Sequence, residues 1–366
     1  MKIIFIRRLH LPLEGGREQV GLELHRNLSR ISEVKLIEWF KPKRYLLFGF
    51  LYFLFKSSFT LLTHKIDVIY LGDGLLAPIG FLLKIFKKPV AITFHGQDIT
   101  YPNKFYQFLI PKCAARLDKI ICVSRAIEQE CVKRGVSEKK TRVIPNMLLD
   151  TLYLEEDKKM IRNKIEKEFG ISLESKKIIL SVGRLVEKKG FHWFVESVVP
   201  KILEQRKSIV YFIVGEGTYE EKIKKAIKKN RLEDYIVMFG NIGRETLKLK
   251  LLYNGADIFV MPNIPAKGDM EGFGIVVLEA GSCKLPIVAS RLEGIKDAVK
   301  EGENGFLIEP YNVKDYVKKI DELLENDSLR KDFGEKARNY TIKNHSGEKI
   351  AREYLDEFKI LISNKK

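Results

Sequence analysis

The chain of 366 residues contains 45 % hydrophobic and 31 % charged residues, a composition typical of globular proteins that excludes a disordered or fibrous chain. This length exceeds one typical hydrophobic core, so we expect two domains. The formal net charge of +17 is unevenly distributed, with +13 in residues 1–147 and +4 in residues 148–366. An anionic partner is therefore expected to meet the first half.

The first apolar run, Ile3–Ile6, stops at Arg7 and has no small-residue cleavage site, which predicts a strand rather than a signal peptide. Cytoplasmic location is the resulting expectation. The cysteines form no CxxC pair and have no nearby histidine at metal-ligand spacing, so we expect core thiols in a reducing compartment and no metal site. They are Cys113, Cys122, Cys131 and Cys283.

Short apolar runs alternate with segments of helical period along the chain. This alternation predicts an α/β fold of two Rossmann-like, doubly wound parallel sheets that face each other across a cleft. We expect the first domain at 1–150, the second at 151–345, and a helix at 346–366 that crosses back to the first. The predicted strands are Ile3–Ile6, Val68–Leu71, Val90–Phe94, Lys119–Val123, Arg142–Ile144, Ile178–Val182, Val210–Val214, Ile236–Phe239, Ile258–Met261 and Ile287–Ala289.

Two glycines, Gly15 and Gly16, precede a helix predicted from about Glu18. Their backbone amides could contact a phosphate or an acceptor, or they could form a plain turn.

The most apolar stretch of the chain is residues 45–62, whose uninterrupted part, Tyr45–Phe55, has 11 residues. A bilayer crossing needs about 20 residues, so we do not expect this stretch to span a membrane. Basic residues flank it, and a second, shorter stretch at 81–88 combines apolar residues with lysines. Both patterns suit a helix lying at an anionic membrane surface, and a helix buried against the sheet is the alternative.

Residues 269–282 run from an acidic, glycine-containing loop into an apolar helix. The helix N-terminus could bind a diphosphate, and Gly272 and Gly274 would let that anion approach closely. Glu271 and Glu279 would lie on either side of the anion and accept hydrogen bonds from sugar hydroxyls. An ordinary helix with acids near its positive end is the alternative.

Further polar residues follow the predicted strands, where ligands of parallel sheets bind. His95 and Asp98 follow Val90–Phe94, and they could contact a substrate or serve only the fold. Arg184 and Lys189 follow Ile178–Val182, where two cations could neutralise a departing diphosphate or belong to a solvated turn. The next two strand ends carry Gly215, Gly217 and Asn241, which could leave a slot for a base.

In order and spacing, these motifs resemble the retaining glycosyltransferases of the GT-B fold, specifically glycosyltransferase family 4 (glycosyl transferases group 1). The resemblance rests on EGFGIVVLE at 271–279, SVGRLVEKKG at 181–190, VGEG at 214–217, HGQD at 95–98, ENGFLIEP at 303–310 and Gly15-Gly16. Two segments depart from the family pattern, at 146–150 and 293–297.

The resemblance implies a role for each residue of these motifs. His95, Arg184, Lys189 and Glu271 are implied to be catalytic, with Arg184 and Lys189 on the donor diphosphate and Glu271 on the donor sugar. Gly15, Gly16 and Asp98 are implied to form the acceptor and phosphate loop. The remaining donor-binding residues are implied to be Gly215, Gly217, Asn241, Gly272, Phe273, Gly274, Ile275 and Glu279, the last on the ribose.

The implied reaction is a retaining, metal-independent hexosyl transfer from a nucleotide diphosphate sugar, such as a UDP-sugar or GDP-mannose, with no other cofactor. We expect a lipid-linked or glycan acceptor and peripheral association with the inner face of an anionic membrane. A soluble sugar or sugar phosphate is the alternative acceptor, and a non-catalytic sugar-binding protein the second alternative. No basic motif with interleaved aromatic residues indicates nucleic-acid binding.

Overall fold

The structure is a computed structural model that describes residues 1–8, 16–39, 46–149, 152–243 and 246–364. The chain divides into two compact units. Unit 1 comprises Met1–Leu149, Gly268–Phe273 and His345–Lys366, and unit 2 comprises Asp150–Lys267 and Gly274–Asn344. Both are α/β structures built on a parallel sheet.

The described residues form twelve strands and sixteen helices. The strands are β1 Lys2–Arg8, β2 Glu33–Trp39, β3 Val68–Leu71, β4 Val90–Phe94, β5 Lys119–Cys122, β6 Thr141–Val143, β7 Lys177–Val182, β8 Ile209–Val214, β9 Ile236–Met238, β10 Ile258–Met261, β11 Ile287–Ser290 and β12 Gly305–Ile308. The helices are α1 Gly16–Ile31, α2 Leu46–Thr63, α3 Ala77–Leu83, α4 Gln97–Thr100, α5 Lys104–Ala115, α6 Arg125–Lys133, α7 Lys158–Phe169, α8 Phe191–Trp193, α9 Val199–Gln205, α10 Glu220–Lys229, α11 Leu247–Gly255, α12 Ile275–Ser282, α13 Ile295–Ala298, α14 Val313–Glu325, α15 Asp327–His345 and α16 Gly347–Ser363.

The sheet of unit 1 has the strand order β2-β1-β3-β4-β5-β6. The chain steps one way from β1 to β2 and then the other way from β2 through to β6. Because crossovers between parallel strands are right-handed, the two directions place their helices on opposite faces of the sheet. Helix α1 therefore covers one face, and α2, α3, α5 and α6 form a layer on the other.

Helix α16 lies beside α1 and completes the core of unit 1. Its Tyr354 hydroxyl is 3.2 Å from Thr93 Oγ1, which is itself 2.8 Å from the hydroxyl of Tyr70 on β3. Glu357 pairs with Lys119 at 3.0 Å. The last helix of the chain therefore fixes strands from the first third of the sequence.

The sheet of unit 2 has the order β12-β11-β10-β7-β8-β9, and Asp257 ties its amino end together. This buried carboxylate accepts hydrogen bonds from Lys158 Nζ at 2.8 Å, Arg162 Nη2 at 2.5 Å and the backbone N–H of Ile178 at 2.7 Å. Burial opposes the charged form, but the two cations outweigh it and lower the pKa of Asp257. The residue thus joins α7 to both β7 and β10.

Several elements differ from the sequence predictions. Strand β2 was missed because charged residues interrupt its apolar positions at the sheet edge. Strand β12 was missed although its length matches that of several predicted strands. Helix α15 was also missed. Helix α1 begins at Gly16, two residues before its predicted start, so Gly16 belongs to the helix rather than to the preceding loop. Gly15 lies outside the described residues.

One segment also changes domain relative to the prediction. Residues 268–273 were assigned to the second domain with the rest of their motif, but they pack with unit 1. The chain passes from unit 1 to unit 2 between Phe273 and Gly274. This return is a tertiary contact that sequence order does not reveal.

His345 is buried where the chain re-enters unit 1. Its Nδ1–H donates to the carbonyl of Asn146 at 2.9 Å, and its own carbonyl accepts from the N–H of Leu148 at 2.7 Å. The imidazole also lies 5.7 Å from the ring of Phe273, centroid to centroid. Burial lowers the pKa of His345 from 6.5 to about 4.

This lowered pKa predicts an acid-sensitive fold. Between pH 6.5 and 4 the unfolded chain binds a proton at His345 that the folded chain excludes, so the free energy of unfolding falls as the pH falls. The group's share of this loss is about 3 kcal/mol at pH 4. His345→Asn keeps a donor near Nδ1 but does not titrate, so its urea-unfolding stability should change less between pH 7 and pH 4. The exposed His64→Asn is the control, and equal pH dependence in all three proteins would contradict the assignment.

Candidate active site

Two cations of unit 2 follow strand β7. Arg184 is exposed and makes no ion pair with any described residue. Lys189 ends the 3-10 turn Glu187–Lys189, and its Cε lies 3.5 Å from the position that a Cβ on Gly183 would take. The lysine side chain therefore lies over the backbone at the end of β7.

Gly190 fixes this loop against the residues that follow β10. A Cβ at Gly190 would lie 1.9 Å from the carbonyl oxygen of Pro262, so only glycine fits. The N–H of Ile264 also donates to the carbonyl of Lys188 at 3.0 Å. The cationic loop is thereby joined to the carboxyl end of β10, the neighbour of β7 in the sheet.

Helix α12 begins at the same strand end, in agreement with the helix start expected from the sequence. Its N-cap, Gly274, is left-handed (φ 93°) and provides no side-chain cap. The sulfur of Met261, the last residue of β10, lies 3.1 Å from the position of a Cβ on Gly274. The first-turn N–H groups, beginning with that of Ile275, give this end a partial positive charge that favours an anion.

Glu279 lies within α12 and is 2 % exposed. Its Oε2 accepts a hydrogen bond from the hydroxyl of Tyr253 at 2.8 Å. Sequence reasoning missed Tyr253, since nothing in its position on α11 indicates a partner 26 residues later. The phenol holds one orientation of a carboxylate that the family resemblance places on the donor ribose.

The loops that follow β8 and β9 lie next to the loop that follows β7, in that order. They carry Gly215, Gly217 and Asn241. Gly215 N–H donates to the carbonyl of Gly240 at 2.8 Å, and Leu185 N–H donates to the carbonyl of Glu216 at 2.8 Å. Asn241 Nδ2 donates to Glu216 Oε1 at 3.2 Å. The ends of β7, β8 and β9 are therefore joined to one another through their backbones.

In unit 1, Asp98 organises the loop after β4. Its Oδ1 accepts from the N–H groups of His95 and Gly96, each at 2.8 Å, and its Oδ2 accepts from Gly74 N–H at 3.1 Å. This buried carboxylate therefore joins the loops that follow β3 and β4. The sequence carries a signal for Gly74, which follows Gly72 and Asp73 directly after β3.

His95 is positioned by the same two loops. Its Nε2 lies 3.1 Å from the carbonyl oxygen of Gly72, to which Nε2–H can donate a hydrogen bond. This hydrogen bond orients the imidazole ring at the carboxyl end of β4.

Gly272 lies against the backbone of His95. A Cβ on Gly272 would lie 1.8 Å from the His95 carbonyl oxygen, and a Cβ on Gly96 would lie 3.1 Å from Gly272 Cα. Half-buried Glu271 precedes this contact, and Phe273 follows with its ring buried. The structure thus brings Glu271, Gly272 and Phe273 beside His95 within unit 1.

In the described part of the chain, no three His, Cys, Asp or Glu side chains are grouped so that they could hold a metal ion. Cys122, Cys131 and Cys283 are buried thiols, and Cys113 is partly buried. Among the described helices, none combines the length and the hydrophobicity that a membrane crossing requires.

Two family models match the chain: Glycosyltransferase Family 4 over residues 14–148 and Glycosyl transferases group 1 over residues 162–340. Both models describe glycosyltransferases, and the chain belongs to this family of group 1 and family 4 glycosyltransferases. The uncharacterized glycosyltransferase MJ1607 of Methanocaldococcus jannaschii is 28 % identical over 81 % of this chain and 76 % of its own length. N-acetyl-alpha-D-glucosaminyl L-malate synthase of Bacillus anthracis is 25 % identical over 72 % of this chain and 66 % of its own length.

Solved structures agree on the fold. HepE of Anabaena in complex with UDP has a TM-score of 0.78 to this chain at 18 % identity, covering 98 % of this chain and 100 % of HepE. The fold of this glycosyltransferase is therefore GT-B, as the resemblance of its motifs implied.

The contact at Gly190 yields a stability prediction. Gly190 and Gly170 have nearly the same φ, 67° and 65°, but a Cβ on Gly170 would meet nothing within 4 Å. Gly170→Ala should therefore cost only the left-handed backbone term, about 1 kcal/mol. Gly190→Ala adds a clash with Pro262 O and should cost about 3 kcal/mol or more in urea unfolding. Equal losses in the two variants would contradict the close approach.

Proposed function

We propose that this glycosyltransferase transfers a hexose, with retention of anomeric configuration, from a nucleotide diphosphate sugar to a membrane-associated glycan or lipid-linked acceptor. One observation carries the proposal. The Arg184–Lys189 loop and the N-terminus of α12 both meet the carboxyl end of β10, through Gly190 against Pro262 and Gly274 against Met261.

This arrangement suits a diphosphate leaving group. Negative charge on the diphosphate grows as the bond to the sugar breaks, and two cations together with a helix N-terminus stabilise that charge. Arg184 is exposed, so an incoming phosphate can pair with it without first displacing an acid of the described chain. In this proposal the cations and the helix end act in place of a metal ion.

The remaining residues divide between the ends of the donor. Glu279, held by Tyr253, would accept hydrogen bonds from the ribose hydroxyls, while the loops at Gly215, Gly217 and Asn241 would line the base. Glu271 and the backbone of residues 272–274 would hold the hexose, with His95 close to the reacting carbon. HepE is described in complex with UDP, which supports a uridine donor, and GDP is the competing nucleotide.

The acceptor proposal rests on the charge of the first half. A net charge of +13 in residues 1–147 attracts both anionic lipid headgroups and the phosphates of a lipid-linked acceptor. We place the enzyme on the cytoplasmic face of the membrane. A small soluble acceptor is the second candidate, because the relative from Bacillus anthracis is named as the synthase of N-acetyl-alpha-D-glucosaminyl L-malate.

A thermal-shift screen tests the donor class. UDP or GDP at about 100 times its dissociation constant should stabilise the protein by roughly 2.7 kcal/mol, and the preferred nucleotide should do so at the lower concentration. The matching nucleoside without phosphates should have a much weaker effect, because it lacks the group that Arg184 and Lys189 would bind. A protein stabilised by neither nucleotide would contradict the proposal.

Substitutions test the roles within the site. Lys189→Ala should weaken binding of the nucleotide found in the screen and lower its release from the sugar donor by about 10²–10³-fold. Glu271→Ala should lower the same release while leaving nucleotide affinity nearly unchanged, since its proposed partner is the hexose.

Both variants should keep the melting temperature of the wild type. Lys201→Ala removes an exposed lysine of unit 2 outside the site and serves as the control. Full activity in Lys189→Ala or Glu271→Ala would refute the assigned role, and absence of turnover in the wild type would favour a sugar-binding protein.

A further inference from the structure

Among its described residues, helix α2 exposes most of the large apolar side chains to solvent instead of packing them against the sheet. Exposed apolar side chains recur at helical spacing along one face of the helix, at Phe48, Leu51, Phe55, Phe59 and Leu62. Phe55 is 74 % exposed, whereas the inward face carries Gly49, Phe53, Ser57 and Thr60. A surface helix of a globular domain normally shows the opposite distribution.

The same surface continues over the neighbouring helices. Helix α3 packs against both α2 and α5, and all three lie in the same layer of unit 1. The 3-10 turn after α3 exposes Ile85 at 79 %, and α5 exposes Phe105 at 71 % and Phe108 at 59 %. We call the outer side chains of α2, of α3 with the turn Lys84–Phe86, and of α5 the α2–α3–α5 surface.

The charges on this surface have a single sign. Residues 46–66, 74–97 and 99–117 contain no Asp or Glu, while Lys56, Lys87, Lys104 and Lys112 are exposed. Lys112 Nζ lies 3.7 Å above the ring of Phe108, so cation and aromatic ring occur together.

The acids that bound these segments are engaged within unit 1. Asp67 accepts from Lys2 N–H at 2.7 Å, Asp73 pairs with Arg8 at 2.8 Å, and Asp118 pairs with Lys84 at 2.6 Å. Asp98 is buried under three backbone amides. Each of these carboxylates therefore has a partner other than the exposed lysines named above.

We infer that the α2–α3–α5 surface is the site at which this protein docks onto an anionic phospholipid bilayer. Aromatic and aliphatic side chains would enter the headgroup region while the lysines contact lipid phosphates. A second copy of the chain fits the surface less well, because pairing two copies would bring lysines of like charge together. For the location of the acceptor, the inference rests on the proposed function; the docking itself does not.

Vesicle co-sedimentation tests the inference with the full chain. Wild type should bind vesicles of phosphatidylcholine with phosphatidylglycerol at low salt, and binding should weaken both with pure phosphatidylcholine and at high salt. Phe55→Ser/Phe59→Ser/Ile85→Ser should lower the partition coefficient by more than about tenfold. Lys56→Gln/Lys87→Gln/Lys104→Gln should lower it by about a hundredfold at low salt.

Unit 2 provides matched controls. Met160→Ser/Leu247→Ser/Ile342→Ser removes three exposed apolar side chains, and Lys201→Gln/Lys229→Gln/Lys336→Gln removes three exposed lysines, so both should bind vesicles like the wild type. Nucleotide-induced thermal shift, measured on every variant without lipid, should stay at the wild-type value.

The outcomes separate the two proposals. Absence of vesicle binding by the wild type, or equal losses in surface and control variants, overturns the docking surface and leaves the donor proposal standing. If the wild type binds vesicles but shows no nucleotide-induced thermal shift, the donor proposal is overturned and the docking surface stands. If sedimentation velocity without lipid shows a dimer that the aromatic variant abolishes, and vesicle binding is unchanged, the surface joins two copies and the lipid inference is wrong.

Discussion

The carboxyl end of the unit 2 sheet depends on backbones that approach more closely than any side chain allows. A Cβ on Gly215 would lie 2.0 Å from the carbonyl oxygen of Gly183, and one on Gly190 would lie 1.9 Å from that of Pro262. Because these contacts join the loops after β7, β8 and β10 directly, the spacing of Lys189 from the N-terminus of α12 is set by the sheet. Such preorganised charge stabilises a leaving group without reorganisation during the reaction.

In unit 1 a buried carboxylate joins the loops at the strand ends. There a single carboxylate, Asp98, collects N–H groups from the loops after β3 and β4, and Gly272 then packs against the carbonyl of His95. The side-chain carboxylate of Asp98 thus holds the backbone of His95, and the carbonyl of Gly72 contacts its imidazole. Exchange of Asp98 would move the imidazole even if Asp98 never touched a substrate.

The sequence predicted buried strands and the glycine-rich segments that follow them, because both produce local patterns. It could not predict which backbone each glycine meets. Gly272 and His95 are far apart in sequence, and the segment 268–273 changes unit without any change in composition. Tyr253 and β2 were missed for related reasons. Nothing in the sequence around Tyr253 on α11 indicates that its hydroxyl bonds to Glu279. Strand β2 lies at the sheet edge and contains charged residues that a central strand would exclude.

The two faces of helix α2 have different roles: the inward face packs within unit 1, and the outer face is exposed to solvent. Its inward face lies close to the sheet, since a Cβ on Gly49 would be only 2.9 Å from Trp39 Nε1. That face even buries the hydroxyl of Ser57, whose oxygen has no hydrogen-bond partner among the described residues. Burying such a group costs about 1–3 kcal/mol. Phe55 and Phe59 on the outer face do not offset this cost, because they stay exposed to solvent. Folding of unit 1 therefore does not account for the exposed aromatic residues, which the proposed docking onto a lipid bilayer would explain.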